Sequence, residues 1–142
     1  MAKTSGGLFF FIAAAFLFLW IDLFLGHTSQ GLHHPAMWLP LVFLPCAIVI
    51  SLIRTITDSV FLRRLFQLFS LGAFIVGLLG FGFHFARLWR DLNGPIQWDV
   101  LIRLMRYPPL LAPLAVSGVG ILGLLINKQF ENDNVKENPN GT

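Results

Sequence analysis

The amino-acid sequence predicts an all-α membrane protein, an antiparallel four-helix transmembrane bundle with a short interfacial amphipathic helix before the fourth span. Three observations predict it. The 142-residue chain is 56% hydrophobic and only 12% charged, whereas a soluble domain carries about 25% charged residues. Its mean hydropathy is +0.73, more apolar surface than a globule of this length hides, since such a domain buries only about 70% of its chain. The apolar residues also fall into four runs of the length needed to cross roughly 30 Å of hydrocarbon at about 1.5 Å per residue.

The first run covers residues 8–25, LFFFIAAAFLFLWIDLFL. It is long for the apolar stretch of a secretory signal, and no small-residue cleavage site follows it, so it reads as an uncleaved spanning helix. The second covers residues 36–53, with Pro35 suited to a helix start. Pro40 and Pro45 lie within it and should kink it or free backbone carbonyls. The third run covers residues 65–89, and the fourth, opening on proline, residues 108–126.

Between the last two, Asn93-Gly94-Pro95 breaks the preceding helix. Residues 96–106 then place Ile96, Val100, Leu101, Leu104 and Met105 on one side and Asp99, Arg103 and Arg106 on the other, the pattern of a helix lying in the interface plane. Residues 1–126 therefore form one transmembrane domain. The polar residues 127–142 are expected to be a disordered tail.

A net charge of +3 and a pI near 9.6 do not indicate a nucleic-acid partner, because the basic residues are scattered at the ends of apolar runs, where a bilayer places them. Lys3, Arg54, Arg63, Arg64, Lys128 and Lys136 fall on one side of the membrane, and Arg87, Arg90, Arg103 and Arg106 on the other. The positive-inside rule then puts both termini in the cytoplasm, in a cytoplasmic or inner membrane. One cysteine, Cys46, excludes an intramolecular disulfide and is expected to be a small buried hydrophobe.

Span counting brings the histidines together. His27 follows span one, His33 and His34 precede span two, and His84 lies near the end of span three. In an up-down-up-down bundle all four reach one membrane face. Ala73, Gly77, Gly80 and His84, spaced by four, three and four residues, form one helix stripe that Arg87 and Asp91 extend. Small residues mark the packing side of a membrane helix, so His84 should face the bundle. Asp22 lies on a face with Phe11, Ala15, Phe18 and Gly26 and should find a partner in His84 or Arg87, either as a group orienting an imidazole or as a salt bridge.

Neutral imidazoles suit transition metals, and two facing histidines hold haem iron axially. The expected site is thus a metal held by three or four of His27, His33, His34 and His84, with Asp22 as a further ligand or behind them, or a haem held by His84 and one of the other three. A purely structural reading stands beside it: the histidines sit at headgroup level, His33-His34-Pro35 starts a helix, and His84 bonds a carbonyl freed by Pro40. No spacing matches a zinc-protease, phosphate-loop, nucleophile-elbow or Cys-x-x-Cys motif, and no residue set reads as catalytic. Two further functions fit the composition. One is an accessory or assembly subunit packing against other membrane subunits; the other is a small oligomeric transporter.

Overall fold

A computed structural model describes residues 3–29, 31, 35–91 and 111–137. Among them there are four long helices and no strand: α1 (Lys3–Ser29), a short 3-10 turn (Pro35–Met37) leading into α2 (Trp38–Ile56), α3 (Val60–Asp91) and α4 (Leu111–Glu137). The stretches Gly6–Ser29, Pro35–Ile56, Val60–Arg87 and Leu111–Asn132 are each long and apolar enough to cross a membrane. The all-α four-helix bundle expected from the sequence is present. The interfacial helix expected over residues 96–106 lies outside the described residues. Of the expected disordered tail, residues up to Glu137 continue α4 as helix.

The bundle has an apolar inside and an apolar outside. Phe9, Ile12, Phe16, Leu19 and Leu23 of α1 recur every three or four residues and are buried, as are Leu41, Leu44, Ala47 and Ile50 of α2. They meet Phe66 and Ala73 of α3 and Val116 and Ile126 of α4. Outward-facing Phe18 is 73% exposed and Phe61 74%. In water such a surface would be untenable, whereas lipid is as apolar as these side chains. The helices pack α1 on α2, α2 on α3, α3 on α4 and α4 on α1, which closes a ring.

Two local devices hold the ring. Pro45 removes the N–H that would bond Leu41 O four residues back, and the Trp20 indole of α1 donates to that carbonyl at 3.0 Å. The proline thus creates an acceptor that ties α1 to α2. Pro40 lies in the first turn of α2, where a missing N–H leaves no intrahelical bond unmade; no carbonyl bond to His84 arises from it. On the other side, the stripe Ala73, Gly77, Gly80 lies against α4. A Cβ on Gly77 would meet Ser117 N at 2.6 Å and would collide with Ser117 Oγ and Pro113 O. Glycine there lets the two backbones approach, and Ser117 Oγ donates across the contact to Phe74 O at 2.9 Å.

Cys46 departs from expectation. It is exposed, because the core face of α2 runs through Leu44 and Ala47 and leaves position 46 on the lipid side, its thiol turned back to Val42 O.

Candidate functional site

The end of the bundle that holds the C-terminal turn of α1 and the N-terminus of α2 also holds the later turns of α3 and the start of α4. A partly open cavity of ≈ 440 Å³ lies there, walled by all four helices. Leu23 and His27 come from α1, and Met37, Leu39 and Pro40 from the 3-10 turn and α2. Gly77, Gly80, Phe83, His84, Arg87 and Arg90 come from α3, and Pro113 and Val116 from α4. The size falls in the range of small-molecule sites, roughly 300–1,000 Å³, and the lining is mainly apolar with a few polar groups, as such sites are.

His27 and His84 reach this cavity from opposite parts of the sequence. His27 lies in the last turn of α1, and its Nδ1 is 2.7 Å from Leu23 O. The carbonyl can only accept, so Nδ1 carries the proton and Nε2 is left for another partner. His84 is half-buried and close enough to His27 and to Arg87 for each charge to act on its ring. Among the described residues His84 makes no hydrogen bond. Gly31, with φ 77° and its N–H on Thr28 O at 3.2 Å, turns the chain out of α1 just beyond His27.

Two of the four imidazoles, those of His27 and His84, thus line one cavity. His33 and His34 lie outside the described residues. Asp22 does not join them: its side chain is exposed and it makes no hydrogen bond or ion pair among the described residues. The α1 core stripe runs through Leu19 and Leu23, so a residue one step before Leu23 is turned about 100° away from it. Phe11 and Phe18, which share the Asp22 face, are exposed as well. Among the described residues no group of three or more His, Cys, Asp or Glu side chains could hold a metal ion.

The opposite end is built from charges. Arg54 is only 5% exposed; its guanidinium lies 4.6 Å over the Phe9 ring and 2.9 Å from Asp58 Oδ1. Arg63 donates to both oxygens of Asp58, Nε at 2.7 Å and Nη2 at 2.8 Å. The hydrogen bonds from Arg63 hold the Asp58 carboxyl below the usual carboxylate range. Ser59 Oγ caps α3 by accepting the Leu62 N–H at 3.2 Å. From the sequence, Arg54, Arg63 and Arg64 read only as boundary charge on one side of the membrane. The signal that identifies the cluster is Asp58 standing four residues after one arginine and five before another.

No protein-family model, curated protein or solved structure matches the chain.

Proposed function

We propose that this chain is a multi-pass membrane protein that binds a lipid-soluble small molecule in the cavity at its histidine end. The observation that carries the reading is the cavity itself: four helices pack along most of their length and then leave a partly open space of ≈ 440 Å³ between them at one end. A cleft of this size, mainly apolar with a few polar groups, has the form of a small-molecule site. Exposed Leu39, Leu79 and Phe83 are part of its lining, which supports entry sideways from the bilayer between α2 and α3. With the termini and the basic α2–α3 turn cytoplasmic, the cavity lies toward the opposite leaflet.

The metal-or-haem expectation narrows on this geometry. Two imidazoles rather than three or four donors line the cavity among the described residues, so a haem is the form of that expectation in which His27 and His84 would serve as ligands, and it would supply redox chemistry there. A purified protein without a Soret band removes that form and leaves the small-molecule reading standing.

The test uses the full chain in phosphatidylcholine nanodiscs, with oleate and oleyl alcohol as probes and Val76→Trp as a variant that fills the cavity wall. Saturable one-to-one binding of either probe to the wild type, lost in Val76→Trp, supports the reading. Absence of saturable binding with both probes refutes it.

A further inference from the structure

Resting on that cavity reading, we infer that the molecule bound carries a hydroxyl group, as a lipid-soluble alcohol or phenol does, and that this hydroxyl donates a hydrogen bond to His27 Nε2. Two imidazoles line the cavity, His27 from α1 and His84 from α3. Both keep ring nitrogens to be satisfied. His27 Nδ1 stands 2.7 Å from Leu23 O. A carbonyl only accepts, so Nδ1 holds the proton of the ring and Nε2 presents a bare lone pair. No other hydrogen bond to this ring, and none to His84, forms among the described residues. A neutral imidazole has one N–H and one acceptor nitrogen, so His84 offers both.

The cavity therefore has a fixed acceptor on one wall and a ring able to donate on another. A hydroxyl is the smallest group that serves both, its hydrogen going to His27 Nε2 and its oxygen accepting from the His84 N–H. An ether, ester or ketone has lone pairs only. It would accept from His84 but would turn a lone pair toward that of His27. Such a head also displaces water from Nε2 without replacing its hydrogen bond, which lowers affinity. An ammonium has hydrogens to donate, but no carboxylate among the described residues lines the cavity to hold its charge. Leu23, Val76, Phe83 and Val116 supply the apolar wall for the hydrocarbon part.

The Leu23 contact is what makes the acceptor permanent. Turning the ring to present an N–H to the cavity would break a short bond inside the last turn of α1. A site that holds a polar group ready in this way rejects the ligand that leaves it unpaired, rather than merely favouring the one that pairs.

The experiment compares oleyl alcohol with oleyl methyl ether, which share chain and oxygen and differ in the O–H alone. It uses the full chain in phosphatidylcholine nanodiscs, with histidine labelled for nitrogen NMR and affinities expressed per mole of membrane lipid. The alcohol should bind about threefold to tenfold more tightly, the size of one neutral hydrogen bond. It should also move the resonance of the unprotonated His27 Nε2, assigned by its absence in His27→Phe and in His27→Gln, while the ether leaves that resonance in place. Equal affinities overturn the inference, and so does an Nε2 resonance that saturating alcohol does not move; both leave the cavity reading intact. Alcohol binding retained in Val76→Trp places the molecule elsewhere and overturns it too. If the alcohol fails to bind while oleate binds and is lost in Val76→Trp, the inference falls and the cavity reading stands; failure of oleate as well ends both.

Discussion

Gly77 is the position where the α3–α4 contact is most exposed to test. An added Cβ would stand 2.6 Å from Ser117 N and would press on Ser117 Oγ and Pro113 O. Two of those three atoms are backbone and cannot swing aside, so Gly77→Ala must push the helices apart. Overpacking of this kind costs about 1–3 kcal/mol, and separation also weakens the Ser117 Oγ bond to Phe74 O, about 1 kcal/mol. Gly82 is the internal control: it lies on the same helix with nothing within 4 Å of its built Cβ. There alanine should stabilise by up to about 1 kcal/mol through helix propensity alone. The two variants should therefore differ by about 2–4 kcal/mol in unfolding free energy, measured by titrating a mild-detergent micelle with a denaturing one and following far-UV circular dichroism. If Gly77→Ala fell within about 0.5 kcal/mol of Gly82→Ala, the close approach of α3 and α4 would be wrong.

Three other outcomes follow from the geometry. Trp20→Phe should cost about 1–2 kcal/mol by leaving Leu41 O unpaired, and far less when combined with Pro45→Ala, which restores the intrahelical donor; additive losses would contradict the pairing. Asp58 has its pKa lowered by the Arg63 hydrogen bonds, so its contribution is complete above the unfolded value near 3.9 and is lost as pH falls through the lower folded value. Asp58→Asn should therefore cost about 1–2 kcal/mol at pH 7, less than for a fully buried pair because Asp58 is 49% exposed, and the gap between variant and wild type should close below about pH 4. Cys46, on the lipid side, should tolerate Cys46→Leu within about 0.5 kcal/mol of unfolding free energy; a loss of about 1–3 kcal/mol, the cost of overpacking, would place it in the core.

The four spans were legible because a bilayer imposes a length and a composition that few other environments demand, and lipid-facing residues such as Phe18 obey it as fully as core residues such as Phe16. That same uniformity hid the facing of individual side chains. With apolar residues all round, no stripe told which side of α1 was inside, so the face that carries Asp22 was expected to meet the bundle and Cys46 was put on the wrong side of α2. On α3 the glycines supplied the missing asymmetry, and the Gly77 and His84 stripe was placed against the bundle. Pro45 announced a free carbonyl without announcing its partner, since Trp20 is distant in sequence and its indole reads equally as an interface anchor. The sequence reading counted the Arg54, Arg63 and Arg64 charges and overlooked the one carboxylate that organises two of them.

The position of the cavity follows from where the helices are fastened. α2 and α3 are joined at one end by a turn of three residues, and Asp58 clamps Arg54 from one helix and Arg63 from the other across it. Away from that clamp α2 is committed to α1 through Trp20 and Leu41, and α3 to α4 through Gly77 and Ser117. Further along, Phe43 of α2 stacks on Phe69 of α3 at 5.3 Å and lies against Gly72. The bundle is thus clamped where Asp58 sits and holds its cavity at the other end, where His27 and His84 sit. On this construction Asp58→Asn loosens the closed end without touching the cavity lining, so it should lower stability while leaving oleate affinity within about twofold, the effect expected of sites that do not share partners. A parallel loss of both would show that the clamp sets the width of the cavity from the other side of the membrane.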